Sequence, residues 1–567
     1  MKSIESKKAL SPLRLLRRDD GAYARKSDLG DEVLVSKKQD GTWDIYQNGS
    51  SEALGIWRDA PKPVKRSRGG LLGFLGFNKT VHEAPNKAID PGEVRELFFL
   101  DNDIQGKEVY RQVDLPEAPK QKPWKAQHYE VSMKIDPQNR TVESRSKITG
   151  RALTDTQNIA FDFAAFPGSL SVTDDSGQDR AFQRTANGLA VVSELSTDQE
   201  FSLEVQFQGQ PKPVSHPGVP ADLGWLSNDS SVVTFNGAAK SSSWLPGDDN
   251  PGNKATYDFQ IEVPKHHFAV ANGKLMGERL LPDGGKSFHY RSKFPMASYL
   301  ASVNTFDERE FSRTMVAPEF EVIHPKGMET AVRSEFKNHE KMMNFLSQRL
   351  GDYPFESYGA IVTDLPVDSY KTRFTDGENT YEADSQFEVA FEAQTRPIFH
   401  ADSIKGDGKF EPTIIHEMAH QWFGNAVTNA SEKDVWVNEA FPSYSGWLWI
   451  EEQQGPEVFE REMRAVYDSV KDHTFTDTMA NPDRDKLFSQ ENYARMTLSM
   501  HALRRELGDE KFFRTLSESV KEHKYESIDT PTLAHTMNVV SGGALGSFFP
   551  KWLHQTELPP YPAPPEL

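Results

Sequence analysis

Residues 411–439 read EPTIIHEMAHQWFGNAVTNASEKDVWVNE and contain the pattern H-E-x-x-H at His416, Glu417 and His420. Residues four apart lie on one face of a helix, so both imidazoles can point at one metal ion. Glu439, after an eighteen-residue gap, would be the third protein ligand. The remaining tetrahedral position is left for water, as in a catalytic rather than a structural zinc site. Glu417 lies one step round the same helix, where it can act as the general base without being a ligand.

The alternative to a metal site is a solvent-facing helix with two ordinary surface histidines. The neighbouring residues argue against it, because two bare imidazoles in an apolar surround need a partner. The apolar residues around them are Ile414, Ile415, Met418, Ala419, Trp422 and Phe423. The stretch therefore predicts one bound Zn²⁺ per chain.

Composition places the chain among globular proteins of several domains. It has 567 residues, of which 37% are hydrophobic and 26% charged; this is too long for a single core. Cysteine is absent, which excludes disulfides and thiolate ligands, so any metal must be held by His and carboxylate. No apolar run approaches the roughly 18 residues of a membrane span. We see no secretory signal at the start of the sequence, which favours the cytoplasm.

The net charge of −19 is unevenly distributed. Residues 1–80 hold 16 Lys/Arg and 10 Asp/Glu, so the remainder is strongly acidic. An acidic body disfavours nucleic acid as a partner and is compatible with substrates that carry a positive amine.

Four parts are predicted along the chain. Residues 1–120 form a β-rich extension of unknown role, and 121–308 alternate apolar and polar residues as in an antiparallel β saddle or sandwich domain. Residues 309–556 change to helical spacing: we predict a helix over 330–351, the metal-motif helix over about 411–424 and a last clear helix that begins near Tyr493, with a short strand near 387–398. Residues 557–567 form a Pro-rich, unstructured tail. Within the extension, the basic and apolar stretch 61–80 is compatible with a membrane contact. We favour a Gly-rich loop that packs on the body, because the stretch is too short and Gly-broken for a stable amphipathic helix.

Several stretches resemble one family. HEMAHQWFGNAVT followed by DVWVNEAF is similar to the aminopeptidase N family of zinc metallopeptidases (gluzincins), in which H-E-x-x-H-x-W-x-G-x-x-V-T precedes W-x-N-E at the same gap. Upstream, WLPGDDNP and KATY (244–257) resemble the family's F-P-C-x-D-x-P-x-x-K-A-T-F stretch. Downstream, YARMTLSMHALRRELGDEKFF (493–513) resembles its Y-x-x-G…L-H-x-L-R helix. The resemblance covers roughly residues 125–555.

The resemblance implies a multidomain α+β fold, with a β-saddle domain followed by a mainly α, thermolysin-like catalytic domain. It also implies a short form, without the long C-terminal helical domain of larger members. Tyr493 takes the family position of the donor that stabilises the oxyanion. A further family signature, G-x-M-E-N, supplies a Glu that binds the substrate's α-amino group.

Two glutamates compete for that role. The residues around Glu378, DGEN, match the signature more closely in identity. Glu392, in VAFEAQTRPIF, has the more suitable position, on a predicted edge strand that could line the cleft. Short bacterial members carry a similar A-L-E-T-Q-T-R-P stretch before the metal helix. We favour Glu392, and keep Glu378 as the alternative.

The sequence thus predicts a monomeric zinc aminopeptidase that acts on short peptides with a free N-terminus. The nearest rival is a zinc hydrolase of the same fold that acts on a non-peptide, amine-bearing or lipid-like substrate. The rival from another class is a non-catalytic binding scaffold. The presence of all three ligands and of Glu417 argues against the scaffold.

Overall fold

The computed structural model describes residues 122–562, except for 165–167, 185–187, 217–218, 238–240, 365–369, 377–378 and 386–389, together with short strands before residue 113. For the early strands, and for residues 215–222 and 370–385, the description covers the backbone alone. The chain divides into two compact units, Met1–Ala118 with Ser215–Ala221 and Asp368–Ser385, and the remainder. Among the helices in the described part, none combines the length and the apolar composition needed to cross a membrane.

The first unit is built from strands. They are β1 Arg14–Arg17, β2 Tyr23–Lys26, β3 Glu32–Lys37, β4 Trp43–Gln47, β5 Ala53–Trp57, β6 Lys62–Ser67, β7 Asn78–Glu83, β8 Phe98–Asn102 and β9 Glu108–Gln112. Seven of them form an antiparallel sheet in the order β5-β4-β3-β2-β1-β7-β6, and β8 pairs with β9. The apolar part of the predicted 61–80 loop, residues 68–77, lies outside the described residues.

The second unit begins with a β domain. Its strands are β10 Trp124–Asp136, β11 Thr141–Ala152, β12 Thr156–Asp162, β13 Gly168–Asp174, β14 Phe182–Arg184, β15 Gly188–Leu195, β16 Glu200–Gly209, β17 Val214–His216, β18 Val219–Ser227, β19 Ser231–Phe235, β20 Lys254–Val263, β21 His267–Ala271, β22 Lys274–Leu280, β23 Lys286–Ala297 and β24 Val303–Asp307. Most of β17 and the start of β18 fall in the segment Ser215–Ala221, which is counted with the first unit. The largest sheet has the order β13-β16-β11-β10-β20-β23-β22. Its pairs are antiparallel except β10 with β20, which is parallel. The predicted alternation is present: Tyr129, Val131, Met133 and Ile135 are buried, and the residues between them on β10 are exposed.

A smaller mixed sheet opens the helical part. Its strands are β25 Phe311–Ala317, β26 Phe320–Pro325, β27 Tyr358–Thr363, β30 Ala390–Phe391 and β31 Ile398–His400, and the hairpin β28 Tyr370–Asp376 with β29 Asn379–Ser385 belongs to the first unit. β26, β27 and β31 are parallel neighbours, and β30 pairs antiparallel with β31. The prediction of one short strand near 387–398 was wrong. The segment holds two short strands, β30 and β31, which are separated by a turn in which Thr395 has φ 66°.

The helices are α1 Glu329–Glu335, α2 His339–Leu350, α3 Glu411–Ala419, α4 Val435–Gln454, α5 Pro456–Val470, α6 Gln490–Leu507, α7 Asp509–His523, α8 Thr530–Val540 and α9 Phe548–Leu553, with two short strands, β32 Thr428–Asn429 and β33 Ser527–Ile528. The metal-motif helix α3 packs on α4, and its apolar residues Ile414, Ile415 and Met418 lie in the core.

Three helix predictions need correction. The single helix predicted over 330–351 is α1 and α2, broken at Asn338, whose amide donates to Glu411 Oε1 at 2.8 Å. The metal helix ends at Ala419 rather than near 424, because the chain then turns at Gly424, where φ is 121°. The helices α7, α8 and α9 follow what the sequence indicated as the last clear helix.

The tail predicted to be unstructured is anchored up to residue 562, although it has no helix or strand. The Tyr561 hydroxyl donates to Glu460 Oε1 at 2.8 Å, and the Arg464 guanidinium lies 4.0 Å from the centre of the Tyr561 ring. Pro-rich sequence does not exclude docking, since a single aromatic residue can supply both a large contact area and a hydrogen bond.

Candidate zinc centre and active site

Two histidines project from the C-terminal end of α3 towards the same point. The Nε2 atoms of His416 and His420 lie 3.0 Å apart. Nδ1 of His420 lies 3.2 Å from the Phe423 carbonyl, and the Pro442 carbonyl accepts a hydrogen bond from His416. When one ring nitrogen keeps its proton and donates it in a hydrogen bond to a backbone carbonyl, the other ring nitrogen is unprotonated and can bind a metal.

Glu439 completes the group from the first turns of α4. Its Oε2 lies 3.6 Å from His416 Nε2 and 3.4 Å from His420 Nε2. The ligand atoms of all three residues lie within 4.8 Å of one another, and the part of the chain that the structure describes contains no second cluster of this kind. The eighteen-residue gap is closed because α3 and α4 pack side by side.

This donor set fits a zinc ion. Two neutral imidazoles and a carboxylate form the ligand set of catalytic zinc sites. Burial lowers the pKa of His416 to about 3, so its ring stays neutral. Oε2 of Glu439 is buried without a hydrogen-bond partner, whereas its Oε1 accepts from Asn438 Nδ2 at 2.8 Å. A buried carboxylate oxygen without a donor needs a cation, and it faces the two bare nitrogens.

Glu417 lies beside this group rather than in it. Its Oε1 is 3.9 Å from His416 Nε2, and its Oε2 is buried without a partner. Burial raises the pKa of Glu417 well above its usual value, and the nearby carboxylates of Glu392 and Glu439 raise it further. The residue is therefore a carboxylate with a strong affinity for a proton.

Glu392 follows β30 and lies in the same site. Asn438 Nδ2 lies 3.4 Å from its Oε1, and Asn425 Nδ2 donates to its backbone carbonyl at 2.7 Å. Burial is the main cause that raises the pKa of Glu392, while the His420 ring lowers it. The alternative residue, Glu378, lies outside the described residues.

Tyr493 reaches the site from the first turn of α6. Its ring centroid is 6.4 Å from that of His416, and its side chain lies close enough to Glu439 to lower the pKa of that carboxyl group. Burial raises the pKa of Tyr493 well above 10, and the carboxylates of Glu439, Glu392 and Glu417 raise it further. The phenol therefore keeps its proton and can act as a donor.

The side-chain amides that bind these carboxylates were not predicted from the sequence. Asn438 contacts both Glu439 and Glu392, and the Tyr299 hydroxyl lies 3.4 Å from Asn438 Oδ1. The position of Asn438 directly before a ligand is a usable signal. Tyr299 had none, because it lies 139 residues away from Asn438 in the β domain.

Gly424 is required for the close approach between the turn after α3 and the ligands. A Cβ at Gly424 would lie 2.5 Å from Asn438 Oδ1 and 2.8 Å from His420 Nδ1. We expect Gly424→Ala to weaken zinc binding about 10-fold to 100-fold, as is typical when the supporting shell of a metal ligand is disturbed. Competition with a fluorescent zinc chelator measures the affinity.

Gly455 provides the control, because it also has positive φ but nothing lies within 4 Å of a Cβ built there. Gly455→Ala carries only the backbone strain and should bind zinc as the wild type does. Equal zinc affinity in the two variants would contradict the steric explanation.

Two models of one protein family match this chain. One family model, the Peptidase M1 N-terminal domain, matches residues 125–300, and a second, the Peptidase family M1 domain, matches residues 397–552. The chain belongs to the peptidase M1 family. The predicted α+β multidomain fold is thereby confirmed, and the donor set together with the M1 family identifies zinc as the cofactor.

Two curated relatives are identical to this chain at about a quarter of the aligned positions. Leukotriene A-4 hydrolase from Xenopus laevis is 23% identical over 337 residues, which cover 56% of this chain and 50% of that protein. Leucine aminopeptidase 2 from Yarrowia lipolytica is 26% identical over 306 residues, covering 51% and 43% respectively. The chain spans half or less of the length of these relatives.

A solved structure extends the likeness in fold. The M1 zinc metallopeptidase from Deinococcus radiodurans matches with a TM-score of 0.68 and 22% identity, over 80% of this chain and 98% of that chain. At this identity the match shows a shared M1 fold.

Proposed function

We propose that this M1 chain is a zinc-dependent aminopeptidase that removes N-terminal residues from short peptides. The observation that carries the proposal is one buried site that holds the His416, His420 and Glu439 group, with Glu417 beside it and the Glu392 carboxylate across from it. A zinc ion bound there would supply a Lewis acid for the peptide carbonyl and lower the pKa of a water molecule to near 7.

Glu417 is proposed as the general base and then the general acid. Its unpartnered Oε2 accepts the proton of the attacking water and passes it to the amine of the leaving peptide.

Tyr493 is proposed as the donor that stabilises the oxyanion. A negative charge develops on the carbonyl oxygen as water attacks, and a fixed hydroxyl in a dry site stabilises that charge more than it stabilises the neutral carbonyl. Because the Tyr493 pKa is raised well above 10, its hydroxyl is protonated throughout the neutral range.

Glu392 is proposed as the anchor of the substrate ammonium group. Asn438 engages Oε1, so Oε2 of Glu392 is the oxygen available to the ligand. An ammonium held at that point fixes the first residue of the peptide and thereby selects which peptide bond meets the reacting groups. This anchor separates an aminopeptidase from an endopeptidase with the same zinc centre.

A panel of aminoacyl-fluorophore substrates, each paired with its N-acetyl form, tests the proposal. We expect the free amines to be turned over at least 100-fold more efficiently than the acetylated forms, because a buried charge pair is lost with the amine. A chelator should stop turnover, and added zinc should restore it.

Equal turnover of free and acetylated substrates would refute the amine anchor and favour the rival zinc hydrolase with a different substrate. Absence of turnover on the whole panel, in protein with one zinc per chain, would favour the binding scaffold.

A further inference from the structure

Lys254 is a buried cation in the β domain whose role the proposed chemistry does not explain. It begins β20 and is 6% exposed. Its Nζ donates to the backbone carbonyls of Asn425 and Ala426, at 2.9 Å each. Burial lowers the pKa of Lys254 well below its usual value and the Glu526 carboxylate opposes this shift, but Lys254 makes no ion pair within the described residues.

Those two carbonyls belong to the tight turn that follows the zinc helix. Asn425 N donates to the His420 carbonyl at 2.8 Å, and Thr428 Oγ1 donates to the Gly424 carbonyl at 2.6 Å. The turn is thus tied on one side to the second histidine ligand and on the other to Lys254. Lys254 shares both carbonyls with other donors, since Thr428 Oγ1 donates to the Asn425 carbonyl at 3.1 Å and the Tyr525 N–H donates to the Ala426 carbonyl at 2.7 Å.

The same turn holds the proposed amine anchor. Asn425 Nδ2 donates to the Glu392 carbonyl at 2.7 Å, and Gln421 Oε1 accepts from the Thr395 backbone N–H at 2.9 Å. The Asn425 side chain is buried, and its Oδ1 has no other partner. Its orientation therefore depends on the position of its own backbone, which Lys254 helps to hold together with Thr428 and the His420 carbonyl.

We propose that Lys254 is a positioning residue for substrate-amine recognition, acting through Asn425 on Glu392. The inference rests on the proposed aminopeptidase function and extends it to a residue of the β domain, 171 residues away in the chain. Lys254 touches neither the ligand atoms nor the anchor carboxylate among the contacts described. It sets the distance between the strand that carries Glu392 and the helix that carries the zinc ligands.

Arg495 offers a matched control for the loss of a buried cation. It is fully buried and donates to two backbone carbonyls, those of Asp477 and Gln555. These carbonyls belong to segments of the helical part that carry none of the proposed site residues. Because Arg495 itself lies on α6, two residues after Tyr493, its loss is compared with that of Lys254 by the preference for the free amine and not by kcat.

The test uses the full chain with zinc bound, in the variants Lys254→Met, Asn425→Ala, the double variant and Arg495→Met. For each one, kcat and KM are measured on an aminoacyl-fluorophore and on its N-acetyl form, together with zinc content and thermal midpoint. Assays are run well below the lowest midpoint. Asn425→Ala keeps the experiment informative if Lys254→Met does not fold, because it leaves the Lys254 bonds to the backbone in place.

We expect each single variant at Lys254 or Asn425 to raise KM for the free amine about tenfold, the loss produced by one charge-assisted hydrogen bond. Turnover of the acetylated substrate and zinc content should stay at the wild-type level. The double variant should be no worse than the worse single variant, because the two residues act in series. Arg495→Met should lower the thermal midpoint and leave the preference for the free amine unchanged.

An unchanged preference for the free amine in Lys254→Met or Asn425→Ala would overturn the inference, as would additive effects in the double variant or the same loss of preference in Arg495→Met. A wild-type protein without any preference for the free amine would instead refute the proposed function, and the inference with it.

Discussion

Replacing Glu417 with alanine should leave one zinc per chain and lower kcat about 10²-fold to 10⁴-fold, the range lost when a general base is removed. Zinc should stay bound because Glu417 lies beside the ligand group and is not part of it. Glu417→Gln should lose as much activity, since an amide keeps the shape and cannot take the proton. Steady-state kinetics with zinc analysis on the same samples measure both quantities.

Glu411 is the control for this prediction. It lies on the same helix and is also buried, but its oxygens accept from Asn338 and Trp449, away from the site. Glu411→Gln should affect stability more than turnover. A Glu417→Ala protein with wild-type kcat would remove Glu417 from the mechanism.

Replacing His420 with alanine should have the second large effect, the loss of zinc. The substitution removes one of three ligands and leaves Glu439 Oε2 without its nearest neighbour, at 3.4 Å. We expect near-zero zinc after dialysis and no recovery of activity on adding zinc. A ligand present at 1,000 times its Kd stabilises a folded protein by about 4 kcal/mol. The wild-type thermal midpoint should therefore rise when zinc is added, whereas that of His420→Ala should not.

The corresponding control is His523, a buried histidine whose Nε2 lies 2.8 Å from Thr536 Oγ1 on another helix. His523→Ala should lose stability and keep its zinc. Full zinc occupancy in His420→Ala would contradict the assigned ligand set.

The metal centre was predictable because its chemistry is local. Two histidines four apart on a helix face the same way whatever surrounds them. Glu439 could be added because an eighteen-residue gap suffices for a turn and the start of a second helix. The amides around the site could not be predicted in this way: Asn425 and Asn438 act through bonds to Glu392, a residue on a separate strand.

The errors in the fold have the same origin. Helical periodicity spans α1 and α2 without showing the break, because Asn338 is turned out of the helix by a bond to Glu411, 73 residues later. Likewise, the alternation on β10 identifies a strand but cannot reveal that one of its neighbours, β20, runs parallel to it. The pattern of apolar residues indicates which face of a helix or strand is buried. Which strands pair, and in which direction, depends on residues that are distant in the sequence.

The bonds from Lys254 to Asn425 and from Tyr299 to Asn438 also bear on how the protein folds. They close loops of 171 and 139 residues. Contacts between residues so far apart in sequence form late in folding, because closing the long loop costs conformational entropy before the contact can stabilise the chain. The metal helix can coil early from its own residues, but the arrangement that recognises a substrate can be completed only after the β domain has docked. Zinc capture and substrate recognition should therefore arise at different stages as the chain folds.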